Sequence, residues 1–502
     1  MVKVEKVATA MSWSILAKVA RFVAGFIATI LVVRVLGDRD WGILVVLRTI
    51  IGFTSVIVML GLGNAILKYI PAMRVSGNIA ELIRTLRKLV LLQVAVWAVL
   101  LVAARYSGPI VSRFLGGNTA AIIIYLQFAV GFVIFDTFMM MVTNILQAWY
   151  ETRNLAIVII FGNIAYIILL ILFLNIGWGI VGVLAAGAVI NVGMGLVLLP
   201  QVGRLISGEW GGGDASPPIR QILAFSLPFV ATGLLNQIVW RHSEVLFLGA
   251  FHSAREAGYF GLAYNIPQLV LEYIPLTIWP LVMAGTSEVV ARNSDNLPRA
   301  INLYYKLLFL LVIPVAAMGF AFARPFVPIL YGSEMLPAAI LMQLFFVVFS
   351  YSFLYTPLSM ALYVMEKSWV NMLVFSALAI VNVGLDLALI PRYGVWGAFF
   401  PVAIVLALGI VVFYIAVRRL RPDVTVPAAF IARCYIAAIP AAGICAVTAM
   451  RWSSLVALIV QIPLGLVLLY VGFRVFGVVG EEEKEIILKL PLPLKERIVR
   501  LL

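Results

Sequence analysis

Apolar residues fill this chain in long blocks that have no polar face. Between Leu155 and Leu174, for example, Asn163 is the one strongly polar side chain. A helix needs about 20 mainly apolar residues to cross the hydrocarbon core of a bilayer. Blocks of that kind lie at 12–36, 42–66, 88–105, 119–146, 155–175, 179–200, 221–250, 257–284, 301–322, 337–361, 369–390, 395–417, 428–449 and 453–476. The strands of a membrane barrel would instead alternate in polarity over about ten residues. The pattern therefore predicts an all-α fold, a polytopic membrane bundle of 14 transmembrane helices.

Composition removes the soluble alternative. The 502 residues are 64% hydrophobic and 12% charged, with a mean hydropathy of +1.11, whereas soluble domains carry about 25% charged residues. Cys434 and Cys445 share one apolar block; a helix separates them by roughly 16 Å, too far for a disulfide. With His242 and His252 as the only histidines, no metal site is expected. The first block is too long for a signal peptide and contains Lys18 and Arg21, so it reads as a retained span.

The net charge of +14 would suggest nucleic acid in a soluble protein. Here it sets topology, and no nucleic-acid partner is expected. With the N-terminus inside, the cytoplasmic side collects Lys3, Lys6, Lys68, Arg74, Arg84, Arg87, Lys88, Arg292, Arg299, Arg418, Arg419 and Arg421. The opposite side holds chiefly Arg39, Arg105, Arg113, Arg255, Arg324, Arg392 and Arg451. This is the positive-inside asymmetry. It predicts a multi-pass membrane protein with both termini cytoplasmic.

The chain also repeats itself. A shift of 216 places Arg39, Asp40 and Gly42 on Arg255, Glu256 and Gly258, and Pro109 on Pro325. A shift of 215 places Glu151 on Glu366, Gly179 on Gly394 and Gly182 on Gly397. Six spans per half give the halves the same orientation, as in parallel-repeat transporters. The expected organisation is an N-terminal lobe (1–206), a cytoplasmic linker (207–220), a C-terminal lobe (221–420), two additional spans (421–477) and a tail (478–502). In the tail, Leu494, Ile498 and Leu501 recur beside Lys495, Arg497 and Arg500, as in a segment lying on the inner membrane surface.

Ionisable groups deep in a span cost at least about 2.5 kcal/mol on insertion scales and mark function by default. Lys18 and Arg21 share a helical face in span one. Arg48 lies two turns into span two, and Arg241 is central in span seven, near Glu244. Asp136 and Glu272 are central in spans four and eight. Arg34, Asp386 and Lys306 are nearer span ends, where a side chain snorkels to the interface. The spans bearing Lys18, Arg21 and Arg48 contain no acid, so some of these cations face a hydrated cavity or an anionic ligand. Arg grips phosphate bidentately and Lys supplies a point charge, which favours a phosphate-bearing substrate. Asp136, Glu272 and Glu244 have two readings: carboxylates that bind Na⁺ or H⁺ as a coupling ion, or counter-ions of the buried cations. No catalytic constellation, metal cluster or phosphate-binding loop of an ATP-driven pump is present, so the chain reads as a transporter without a cofactor.

The segment Lys18-Val-Ala-Arg21, the run Arg34-Val-Leu-Gly37-Asp-Arg-Asp-Trp-Gly42, then Leu60-Gly-Leu-Gly-Asn64 and Lys68-Tyr-Ile70 resemble one family. It is that of the polysaccharide and lipid-linked oligosaccharide flippases, in the multidrug/oligosaccharidyl-lipid/polysaccharide exporter superfamily. The resemblance extends to fourteen spans in two six-span lobes plus two. It implies alternating access and translocation of a polyprenyl-linked oligosaccharide to the outer leaflet for the cell envelope. Membrane lipid and glycan-assembly enzymes are the implied partners. In the lipid II flippase branch, cations of the first two spans and the eighth line a central cavity. Lys18, Arg21 and Arg48 match the first group by region, while Arg241 stands one span earlier than the second. Two alternatives remain at this stage, a multidrug/cation antiporter of the same superfamily and, more distantly, a membrane glycan ligase or polymerase.

Overall fold

A computed structural model describes residues 4–75, 79–115, 119–149, 151–207, 219–240, 243–451, 455–478 and 480. Among these residues there is no strand. The tail expected to lie on the membrane surface falls outside them, as do Arg241 and His242.

Two helices are far too long for a single crossing. Helix α1 (Val4–Met59) has 56 residues and α13 (Ser368–Leu420) has 53. Straight, each would extend about 80 Å, more than twice the roughly 30 Å hydrocarbon core. Each folds back at a glycine instead: Gly37 with φ 70° and ψ −177°, and Gly394 with φ 55° and ψ −129°. A Cβ is strongly disfavoured in these conformations. Gly179, which the repeat aligns with Gly394, also has a positive φ, of 51°.

The remaining helices are α2 (Leu62–Val75), α3 (Ile79–Leu115), α4 (Thr119–Ala148), α5 (Thr152–Asn175), α6 (Gly179–Ser207), α7 (Ile219–Trp240), α8 (Ser243–Phe251), α9 (Ala254–Arg292), α10 (Leu297–Tyr331), α11 (Leu336–Ser352), α12 (Tyr355–Val364), α14 (Ala428–Arg451) and α15 (Leu455–Val475). Among the described residues, nine helical stretches are long and apolar enough to cross a membrane. Two of them, Leu16–Met59 and Ser368–Leu420, each contain two predicted spans. The predicted spans at 221–250, 257–284 and 453–476 correspond to α7 with α8, to α9 and to α15.

The chain divides into two compact units, Met1–Gly258 and Tyr259–Leu502. In the first, α1 packs on α5 and α4, α4 on α6, and α7 and α8 on α1. Its core includes Leu62, Ile66, Leu146, Trp149, Leu155 and Leu198. In the second, α10 packs on α11 and α14, α14 on α15, and α12 on α13. Aromatic residues contribute to the core of this unit. The Tyr264 ring meets Phe345 at 5.1 Å and Phe349 at 4.9 Å between centroids, both edge-on. Cys434 and Cys445 are free thiols, both buried.

Candidate functional site

On the first arm of α1, Ala17, Ala24 and Ala28 are buried, and this small-residue stripe lets neighbouring helices approach. Lys18 and Arg21 are exposed on a different stripe, followed by exposed Gly25. A Cβ built on Gly25 would meet nothing within 4 Å. Gly25 therefore looks onto open space on the stripe that carries exposed Lys18 and Arg21. Two cations held there at mid-span favour water over hydrocarbon.

Arg21 lies near enough to Asp136 on α4 to act on it electrostatically. Asp136 is half-buried and accepts from Asn191 Nδ2 on α6 at 3.3 Å. Glycine packing sets this register: Phe132 fits against Gly187 and Phe138 against Gly195. Asp136 and Asn191 each lie between those two contacts. The acid is thus placed by the close approach of α4 and α6.

Arg48 is the single exposed residue in the run from Trp41 to Thr49. Its guanidinium stands 5.7 Å from the centroid of the Trp41 ring and donates to the Tyr166 hydroxyl on α5. The second contact follows from α1 packing on α5. Around Trp41 the backbone is crowded. The indole Nε1 donates to the Gly258 carbonyl at 3.1 Å, buried. A Cβ on Gly42 would collide with the Ala254 carbonyl, and one on Gly258 would stand 2.9 Å from Gly42 Cα. Beside them Arg255 and Asp38 form an ion pair at 2.6 Å. Gly42 and Gly258, equivalent in the repeat, are therefore in contact.

The acids differ in setting. Glu244 is buried at the first turn of α8, where a carboxylate suits the positive end of the helix dipole. Its proposed partner Arg241 lies outside the described residues. Glu272 is exposed on α9 and acts electrostatically on Tyr355, whose ring stacks on Phe413 at 5.5 Å. Asp386 corrects the expectation from sequence. Rather than reaching an interface it is 0% exposed, and its Oδ2 accepts from buried Asn382 Nδ2 at 3.1 Å. Position along a block indicated its depth, but the packing around α13 decides its burial. Lys306 is half-buried, 5.9 Å from the Phe430 ring, and Arg34 is exposed. Among the described residues, no group of three or more His, Cys, Asp or Glu is arranged to hold a metal ion.

Sequence reasoning included Trp41 in the quoted Arg34–Gly42 run without giving it a role, and did not single out Tyr166 or Asn191. The shift of 216 that pairs Gly42 with Gly258 was the available signal for Trp41. For Tyr166 and Asn191 there was none, because their relevance comes from helix pairs.

Residues 7–284 match the family described as polysaccharide biosynthesis protein. No curated protein matches the chain. Among solved structures it is similar to the lipid II flippase MurJ in an inward closed conformation, with a TM-score of 0.73, 13% identity, and coverage of 93% of this chain and 98% of that one. It is also similar to a multidrug resistance MATE family transporter of the MOP superfamily. The inward-facing conformation gives a TM-score of 0.61 at 14% identity, covering 80% of this chain and 95% of that one. The outward-facing conformation gives 0.57 at 16%, covering 82% and 94%. At these identities the likeness is one of fold.

Proposed function

The chain belongs to the polysaccharide biosynthesis protein family, and from that premise we propose that it is a flippase for a polyprenyl-(di)phosphate-linked oligosaccharide. The observation that carries this reading is the exposed face bearing Lys18 and Arg21, together with exposed Arg48. Cations kept at mid-span suit an anionic head that must cross the membrane. The phosphate and sugar head enters a basic chamber from the cytoplasm and leaves it outside, while the polyprenyl tail stays in lipid. In this reading residues 1–206 and 221–420 act as lobes that alternate access, the linker 207–220 and both termini are cytoplasmic, and spans within 421–477 flank the tail of the substrate. The terminal segment 478–502 rests on the inner surface.

Two phosphate charges moving outward against a negative interior gain about 4–5 kcal/mol per 100 mV. Flipping then needs no coupling ion, provided the cations return rather than travel with the load. Na⁺ or H⁺ coupling through Asp136, Glu272 or Glu244 is the other source of drive. Imposed ion gradients on vesicles, with Glu272→Gln as the variant, separate the two.

The test is flipping of a labelled lipid-linked sugar in reconstituted vesicles. Arg21→Ala combined with Arg48→Ala should abolish it, and wild-type flux in that double variant would end the proposal. The likeness of fold to MATE transporters supports a second reading, a multidrug/cation antiporter. That reading requires dye efflux that depends on Asp136 and Glu272 and is indifferent to Arg21 and Arg48. A ligase or polymerase would release free carrier lipid, which a flippase does not.

A further inference from the structure

Trp41 is engaged twice. One face of its ring carries the Arg48 guanidinium at 5.7 Å, and its Nε1 donates to the Gly258 carbonyl at 3.1 Å. The second contact lies where Gly42 and Gly258 bring α1 and the start of α9 together without intervening side chains. This seam sits five residues beyond the elbow at Gly37, on the membrane face opposite the N-terminus. The indole bond and the Asp38–Arg255 ion pair are two side-chain ties across it. We propose that Trp41 is a positioning residue that couples occupancy of Arg48 to opening of the Gly42–Gly258 seam. The inference rests on Arg48 being a phosphate ligand, as in the function proposed above.

The coupling follows from the directionality of both contacts. An arginine that grips phosphate bidentately presents two N–H groups in the plane of its guanidinium. Arg48 directs one donor to the Tyr166 hydroxyl and stands over the indole ring at 5.7 Å. Engaging phosphate reorients that plane, and the attached cation–π contact moves with it. The indole is rigid, so a tilt of its ring also tilts Nε1–H, and hydrogen bonds weaken steeply once the angle falls below about 120°. The neighbouring Asp38–Arg255 tie is partly exposed, with side-chain exposures of 59% for Arg255 and 13% for Asp38, and exposed ion pairs hold weakly. Load binding therefore loosens the seam on the side where the load must leave. Empty protein keeps it shut.

Trp41→Phe separates the two contacts, because it keeps an aromatic face for Arg48 and removes the donor to Gly258. A cysteine at Val45, which is buried one turn along from Trp41, reports opening through its rate of maleimide labelling in detergent. The probe is inorganic pyrophosphate, with binding measured by calorimetry. In the Val45→Cys background, pyrophosphate should raise labelling at least about threefold. With Trp41→Phe added, pyrophosphate should bind within about twofold of the parent affinity, labelling should start high, and the response should vanish. Asp38→Asn weakens the seam independently of Trp41; it should raise basal labelling yet keep the response. If Trp41→Phe fails to fold, Trp41→Tyr tests the same loss of the indole donor. An unchanged pyrophosphate response in the Trp41 variant overturns the coupling and leaves Arg48 as a ligand. Pyrophosphate binding that survives Arg48→Gln overturns both the ligand role and the coupling.

Discussion

Asn191 on α6 donates to Asp136 on α4 at 3.3 Å while Arg21 acts on the same carboxylate from α1. The acid thus has an amide partner and a cationic one, from two different helices. If it is the counter-ion of Arg21, the two substitutions must be non-additive. Asp136→Asn and Arg21→Gln should each lower the unfolding midpoint in detergent, and the double variant should recover part of the loss. A coupling of about 0.5–3 kcal/mol is the range for groups in direct interaction. Additive effects would remove the counter-ion role.

Arg48→Lys keeps a charge and loses the planar fork that binds phosphate through two bonds. Initial flipping rates in vesicles should therefore fall between those of wild type and Arg48→Ala. A rate for Arg48→Lys equal to wild type would mean that charge alone suffices. Tyr166→Phe, which removes the acceptor of the Arg48 bond, should reduce the rate by less than Arg48→Lys does.

The elbows give a stability test with an internal control. Gly37→Ala and Gly394→Ala should each destabilise by about 1–3 kcal/mol, the cost of holding a side chain in a sparsely allowed backbone region. Gly25→Ala places its methyl in open space within a helix and should stabilise by roughly 0.5–1 kcal/mol. Thermal unfolding of the three variants decides it; an equal loss in all three would show that the elbows carry no special strain.

Asp386 is fully enclosed and bonded to Asn382. Asp386→Ala leaves a buried amide short of an acceptor, at a cost of about 1–3 kcal/mol. Asp386→Asn, which retains an acceptor, should lose less. Chemical denaturation in detergent would show the order, and the reverse order would place the charge itself at a premium.

Much of the fold was legible because bilayer physics writes it plainly: blocks of about 20 apolar residues have few other uses. The elbows were not legible: the repeat aligns Gly179 with Gly394, which share a positive φ, but the alignment says nothing of backbone conformation and does not include Gly37. Depth was legible and burial was not. Asp386 lies close to a span end in the sequence, yet the packing of α13 encloses it. The cations Lys18, Arg21 and Arg48 stand out as candidates from their cost in a membrane alone. Their partners Asn191, Tyr166 and Trp41 do not, because an ordinary asparagine or aromatic residue gains meaning only from the helix beside it. The small residues Gly187 and Gly195, which admit Phe132 and Phe138 respectively and so fix the Asp136–Asn191 pairing, carry no sequence signal that sets them apart from other glycines.

The meeting of Gly42 with Gly258 is main chain against main chain. A junction of that kind offers no side-chain shape to adjust by substitution, so mutation can break it but has little means of grading it. Diversification toward new cargo is thereby confined to the residues around the load, while the closure itself stays a fixed part that different cargoes would share.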